Sequence, residues 1–159
     1  MNRTKEEYCK EFEAIEDKWF DEWDALGGPE SGKRPDWYYV DKQLELKRDW
    51  YRSLEVGDKV HICHYTDITP ATVIKRTPRM VIVRNEKADL DGKWKPEFIP
   101  GGFSAHCTND SEQISHWVIE EDLEGSTERF NWSEKYGIWK NSSDETLGVG
   151  WMKYYDYNF

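Results

Sequence analysis

The fold is decided by residues 56–84, VGDKVHICHYTDITPATVIKRTPRMVIVR. Successive side chains of a strand point to opposite faces, so the pattern from Val60 to Tyr65 places Val60, Ile62 and His64 on one face. After a turn over Thr66–Pro70, residues 72–74 and 80–83 are apolar on both faces, and we expect both faces of these strands to be covered. The stretch predicts the first half of a small barrel whose outer face needs a cover.

The N-terminus predicts an amphipathic helix. Thr4 and Glu7 have the spacing of a capping box, and Gly27-Gly28-Pro29 ends the helix because glycine accepts a left-handed backbone and proline cannot continue a helix. The apolar residues recur at steps of three and four within an arc of roughly 80°. They are Tyr8, Phe12, Ile15, Trp19, Trp23 and Leu26. The acidic residues that point away are Glu6, Glu13, Asp17, Asp21 and Asp24.

A second helix is expected after the polar connector 30–35, capped by Asp36 and running to about Leu54. It has two apolar stripes, about 120° apart on the helical wheel. One contains Trp37, Val40, Leu44, Tyr51 and Leu54, and the other contains Tyr39, Leu46 and Trp50. A helix that is apolar on two sides is usually packed on both. We therefore expect it to pack on the first helix with one stripe and on the outer face of the barrel with the other.

The C-terminal half predicts further strands and turns. Residues 113–120 alternate like a strand, residues 127–133 and 137–141 predict a hairpin, residues 141–146 a polar loop, and residues 151–159 a last strand. The predicted fold class is α+β, with an N-terminal two-helix hairpin packed on a small, SH3-like, partly open antiparallel β-barrel. The hairpin covers residues 1–55 and the barrel residues 56–159, within one domain.

Composition and charge favour a protein partner over nucleic acid. The formal charge is −10, and nine Trp, nine Tyr and six Phe supply many side chains that are favoured at contact surfaces. Acidic residues dominate 1–30 and 101–159, while 31–100 is mildly basic. Because a net negative charge opposes phosphate binding, a basic protein surface is the expected partner. Three widely spaced cysteines and the lack of a signal-peptide pattern predict a soluble protein of the bacterial cytoplasm.

Two groups of charged residues are candidates for binding. The first could imitate the phosphates of a nucleic acid and comprises Glu13, Asp17, Asp21, Asp24, Glu120, Glu121 and Asp122. The second lies in the only net-positive ribbon, residues 75–95, where cations and a ring could hold a nucleic-acid backbone and stack a base. It comprises Lys75, Arg76, Arg79, Arg84 and Trp94. The alternative for the ribbon is a solvated hairpin whose cations protect an exposed sheet edge.

Histidines and cysteines give a third alternative, a zinc protein or a Cys/His enzyme. His61 and Cys63 would share one strand face while His64 points to the other, and the spacing matches no recognised zinc pattern. Adjacent His106 and Cys107 would point apart in an extended segment, so another histidine would have to serve as base. We therefore expect no catalytic residue, no metal and no cofactor. Buried thiols and a histidine that fixes a loop by hydrogen bonds are the simpler interpretation.

Several short motifs resemble a group of small proteins of bacteriophages and mobile elements of gut-type bacteria. They are Gly57-Asp58-Lys59-Val60, residues 63–67, residues 95–103, His106-Cys107-Thr108-Asn109 and residues 155–159. The resemblance covers about residues 56–159, and no activity, site residue or cofactor comes with it. It implies a mobile-element setting, in which small acidic proteins often inhibit host defence, as anti-CRISPR proteins do. The leading hypothesis is a non-enzymatic protein that binds a bacterial protein and inhibits a nucleic-acid-binding defence complex. The alternatives are a nucleic-acid-binding barrel and a Cys/His or zinc protein.

Overall fold

A computed structural model describes residues 4–101 and 105–158, except for the side chain of Lys5. The chain forms two compact units, residues 1–53 and residues 54–159. The first is helical and the second contains a small antiparallel barrel, which confirms the α+β class. The expectation that both are parts of one domain, with the hairpin covering the barrel, stays a prediction.

Helix α1 of the first unit spans Lys5–Ala25 and begins as the sequence predicts. Thr4 accepts a hydrogen bond from the Glu7 backbone N–H at 3.2 Å, and the Glu7 carboxylate accepts one from the Thr4 backbone N–H at 2.8 Å. Gly27, with φ of 99°, then turns the chain into a short 3₁₀ helix, Gly28–Ser31. The capping box and the glycine stop are both confirmed.

Helix α2 spans Tyr39–Arg52, which corrects its predicted start and one of its two stripes. Tyr38 occupies the N-cap position, so Asp36 lies outside the helix and does not cap it. Leu44, expected in an apolar stripe, is 59% exposed, whereas Leu46 and Trp50 are buried. The buried residues of the helix, Gln43, Leu46 and Trp50, lie on one face. On that face, Tyr8 of α1 stacks on Trp50 with ring centroids 4.1 Å apart.

The described residues of the second unit form ten strands. They are β1 Lys59–Cys63, β2 Ile68–Thr77, β3 Met80–Asn85, β4 Lys87–Leu90, β5 Phe98–Ile99, β6 His106–Cys107, β7 Trp117–Glu120, β8 Thr127–Ser133, β9 Ile138–Lys140 and β10 Thr146–Val149. Six of these form a closed barrel in the order β1-β10-β9-β8-β3-β2. Strands β4 with β7, and β5 with β6, form two separate two-stranded sheets.

The barrel is closed, so the predicted partly open barrel is wrong. Strand β10 closes it, although the sequence assigned Thr146 to a loop and the last strand to residues 151–159. Four residues of β10 pair with β1, and only Thr146 pairs with Lys140 of β9. Of the predicted last strand, residues 151–158 form only an isolated bridge between Tyr154 and Ile68, and Phe159 lies outside the described residues.

The core of the barrel is made by alternate residues of its strands. Those with 3% exposure or less include Val60, Ile62, Ala71, Val73, Val81, Val83, Phe130, Trp139 and Leu147. Ile74, expected to be covered, is 39% exposed, because the register between β2 and β3 shifts between Val73 and Lys75. Such a bulge places two residues opposite one and lets an apolar side chain leave the core face.

The C-terminal tail, residues 151–158, is fixed to the rest of the second unit by side-chain amides. Residues 110–116 form a 3₁₀ helix that precedes β7, where a strand from Gln113 was expected. The fully buried Gln113 pairs with the backbone of Tyr155, donating to its carbonyl at 2.8 Å and accepting from its N–H at 2.9 Å. Asn158 of the tail pairs in the same way with the backbone of Cys107. These contacts replace the backbone ladder of the expected strand.

Candidate protein-binding surface

The outer face of α1 carries the most exposed acidic group of the first unit. Glu13, Asp17, Asp21 and Asp24 are all exposed. Within residues 4–101 and 105–158, none of these four carboxylates forms an ion pair. The ion pairs of α1 lie at other positions, Lys10 with Glu6 at 2.9 Å and Lys18 with Glu22 at 3.9 Å. This face therefore presents uncompensated negative charge, and its role in binding a partner stays a prediction.

The second acidic group, in the other unit, is less available for binding. Glu120 is exposed on β7, opposite Lys87. Glu121 accepts a hydrogen bond from Arg84 Nη2 at 2.7 Å, so its charge is already compensated. Asp122 belongs to a turn, where its Oδ1 accepts from the Glu124 N–H at 3.1 Å and its own N–H donates to Glu86. Within this group, Glu121 is thus paired with a cation, Glu120 lies across from Lys87, and Asp122 is engaged by the backbone of its turn.

Glu86 is a buried carboxylate that sequence reasoning did not single out. Its side chain is fully buried and accepts hydrogen bonds from Arg84 Nη2 at 2.9 Å and from the Asp122 N–H at 2.5 Å. Burial alone would raise the pKa of Glu86, but the hydrogen bonds from Thr72, Asp122 and Arg84 outweigh burial and lower it. Arg84 therefore serves as a clamp between Glu86 and Glu121 and holds β3 to the turn at residues 121–122.

The basic ribbon does not come together as a nucleic-acid surface. Arg84 is engaged by two carboxylates, and Trp94 is 5% exposed and packs on Tyr157, so neither can contact a phosphate or stack a base. Arg76 donates to the Leu54 carbonyl at 2.7 Å and lies over the Trp139 ring. Lys75 and Arg79 alone of the five are exposed. Trp94 and Arg84 are therefore less exposed than a nucleic-acid surface requires, because their burial depends on contacts distant in sequence, and binding of nucleic acid by the ribbon stays a prediction.

His61, His64 and His116 occupy separate positions, and each of the three has its own partner. His64 Nδ1 lies 2.6 Å from Glu145 Oε1 and its Nε2 lies 3.1 Å from Thr69 Oγ1. His61 Nδ1 lies 2.7 Å from the Gly150 carbonyl, and His116 Nδ1 lies 3.0 Å from Asp91 Oδ2. His64 therefore ties the turn after β1 to the loop before β10, the loop-fixing role that the sequence suggested as the simpler interpretation.

The thiol of Cys107 is buried and is directed to an amide. Its Sγ lies 3.5 Å from Asn109 Oδ1, which itself accepts a hydrogen bond from the Glu97 N–H. In the parts of the chain that the structure describes, no three His, Cys, Asp or Glu side chains are grouped so as to hold a metal ion. The same residues include no helix long and apolar enough to cross a membrane. What the arrangement offers chemically is charge and aromatic surface.

The helical hairpin also contains a cleft of about 730 Å³. Its apolar lining includes Ile15, Leu46 and Trp50, and the ion pair of Lys42 with Glu45 lies at its edge. Among the residues that the structure describes, the Trp50 indole N–H has no hydrogen-bond partner, but it is shielded from solvent and so offers no donor to a ligand.

One exposed side chain on the acidic face escaped sequence reasoning. Phe20 belongs neither to the apolar stripe of α1 nor to its charged residues, yet it is 40% exposed among the carboxylates. A phenylalanine off the apolar stripe of an amphipathic helix is the sequence signal that would have found it.

No protein family, no curated protein and no solved structure matches the chain.

Proposed function

We propose that this chain is a non-enzymatic phage or mobile-element protein that binds a basic site on a bacterial protein. The observation that carries the proposal is the exposed, unpaired row Glu13, Asp17, Asp21 and Asp24 on one face of α1. A row of carboxylates on a rigid helix imitates the spacing of charge along a nucleic acid, and it attracts a groove that evolved to bind phosphates. The partner is accordingly a nucleic-acid-binding complex of host defence, which the protein would inhibit by occupying that groove.

Exposed carboxylates alone give a fast but weak encounter. Long-range attraction raises the association rate, whereas affinity comes from a few well-packed side chains at the centre of an interface. The acidic face therefore accounts for partner choice and for salt dependence. Raising the ionic strength should weaken the complex, because salt screens charges that are exposed to solvent.

The test is affinity capture of proteins from a bacterial lysate treated with nuclease, using the full chain as bait. The wild-type chain should retain a partner after nuclease treatment. A variant with lysine at all four positions should lose it. The four substitutions are Glu13→Lys, Asp17→Lys, Asp21→Lys and Asp24→Lys.

A matched control changes the net charge by the same amount elsewhere. It uses four other exposed carboxylates, Glu30→Lys, Glu97→Lys, Glu112→Lys and Glu124→Lys. This control should keep the partner. Equal capture by both variants, with reversal of Glu120, Glu121 and Asp122 also without effect, would show that the acidic groups do not bind the partner. Loss of all captured protein on nuclease treatment would instead favour direct nucleic-acid binding.

A further inference from the structure

Phe20 borders the acidic face of α1. At 100° per residue, it is about 20° from Glu13 and about 40° from Asp24 on the helical wheel, and Asp17 and Asp24 are its neighbours one turn away in either direction. Its ring is 40% exposed, while the carboxylates around it are exposed and unpaired. Phe20 therefore lies at the edge of the acidic face, between the four carboxylates and the apolar stripe of α1.

The ring of Phe20 is supported by a set of other rings. Trp19 meets it edge-on with centroids 5.2 Å apart, and Trp23 and Tyr39 each lie 6.0 Å away. Contacts of this kind between aromatic rings stabilise a defined orientation. Phe20 is thus held in place before any partner arrives.

Indole hydrogen bonds fix this support to the connector between the helices. Trp19 Nε1 donates to the Trp37 carbonyl at 2.7 Å, and Trp23 Nε1 donates to the Lys33 carbonyl at 3.0 Å. In return, Trp37 Nε1 donates to Glu22 Oε2 at 2.7 Å. A surface that is already ordered loses little conformational entropy on binding, which favours affinity.

The side chain that suits this surface is arginine. Carboxylates select a cation, and a ring among them selects a cation with a flat, weakly hydrated face that stacks while its N–H groups reach the carboxylates. Lysine satisfies the charge but has no flat face to stack. We propose that this edge of the acidic face binds an arginine side chain of the partner, stacked on Phe20 and held by Asp17 and Asp24. This inference rests on the proposed function, and it names the chemistry of the partner.

The experiment compares nonaarginine and nonalysine peptides as probes of the full chain at a fixed salt concentration. We expect the wild-type chain to bind the arginine peptide about fivefold more tightly, the difference that a stacked cation contributes at an exposed site. Phe20→Leu keeps an apolar side chain but removes the aromatic face, and it should abolish the preference. Phe20→Ala should do the same, and circular dichroism would show that each variant is folded.

Leu44→Ala is the matched control, because Leu44 is an exposed apolar residue on the other helix of the hairpin. It should keep the preference for arginine. The inference would be overturned if the wild-type chain bound both peptides equally or bound neither. It would also be overturned if the preference for arginine survived Phe20→Leu. Capture of a partner that depends on the four carboxylates but not on Phe20 would leave the proposed function in place and remove only the arginine site. Capture of a partner that depends neither on the four carboxylates nor on Phe20 would contradict both the proposed function and the arginine site.

Discussion

Gly148 shows how a single residue shapes the barrel. A Cβ atom built on Gly148 would lie 2.1 Å from His61 Nε2, closer than any real contact. The imidazole cannot easily move away, because its Nδ1 is hydrogen-bonded to the Gly150 carbonyl. Strand β10 can therefore lie beside His61 of β1 only with glycine at this position.

Gly148→Ala should lower the free energy of unfolding by about 1–3 kcal/mol, since the added methyl group overpacks a tight contact. Urea unfolding followed by tryptophan fluorescence measures this. Gly101→Ala is the control and should be nearly neutral, because a Cβ there meets no atom within 4 Å. In the His61→Ala background, the cost of Gly148→Ala should shrink. An undiminished cost would mean that the imidazole is not the obstacle.

At the scale of elements, local sequence signals were predictive where the structure depends on near neighbours. Thr4 and Glu7 contact each other across three positions, and the start of α1 follows from those two residues. The hairpin of β8 and β9 was predicted with nearly correct bounds for the same reason. Strand β10 was missed because Gly148 interrupts its alternation, and its partners in β1 lie far away in the sequence.

Gln113 illustrates an element whose stability depends on one side chain. Its amide makes hydrogen bonds with the Tyr155 backbone and with Asp110, and its Oε1 also accepts from Trp117 Nε1 at 3.2 Å. Sequence patterns treat a glutamine as a surface residue, so nothing in the sequence predicted its complete burial.

Gln113→Leu should destabilise the fold by about 2–4 kcal/mol, because several buried groups would lose their partner. The unfolding midpoint in urea measures this, and limited proteolysis should show earlier cleavage in residues 151–158. Ser115→Ala, at an exposed position of the same 3₁₀ helix, should change neither. If residues 151–158 resist proteolysis in Gln113→Leu as well as they do in the wild type, the other contacts of the tail are sufficient to hold it in place.

At the scale of the whole molecule, acid should unfold the protein through its paired carboxylates. The pKa of Glu86 is lowered from its ordinary value of 4.5, so its stabilising effect is complete above that pH and is lost as the pH falls through the lower, folded-state value. The pKa values of Asp91 and Glu145 are lowered as well, and they act in the same direction.

Glu86→Gln should cost about 2–4 kcal/mol at pH 7, because it leaves part of the Arg84 charge uncompensated. The difference from the wild type should shrink as the pH is lowered below 4.5 and through the lower, folded-state pKa of Glu86, because the wild-type carboxylate is then protonated too. Urea unfolding across this pH range measures the difference. Glu121→Gln, at the exposed end of the same clamp, should cost at most about 1 kcal/mol. A constant difference at all pH values would contradict this role of the Glu86 charge.

The candidate surface was predictable only in part. Charged residues on the outside of a helix are exposed by the helical period alone, so the row on α1 could be predicted from the sequence. The exposure of Trp94 and Arg84 depends on which distant groups surround them, Tyr157 and Glu121 among others, and no local pattern encodes that. Phe20 was missed because a single aromatic residue outside the apolar stripe does not by itself indicate a site. Its supporting rings are known only from the structure.

The closure of the barrel has a consequence for how the chain folds. Strands β1, β2 and β3 follow one another and can associate early, as can β8 and β9. Joining Val60 to Val149, by contrast, requires the two ends of the second unit to meet, and the neighbouring contact of β9 with β10 contributes only one residue pair. Because such a long loop loses entropy before any contact stabilises it, the arrival of β10 is the late, slow event on the route to the native state.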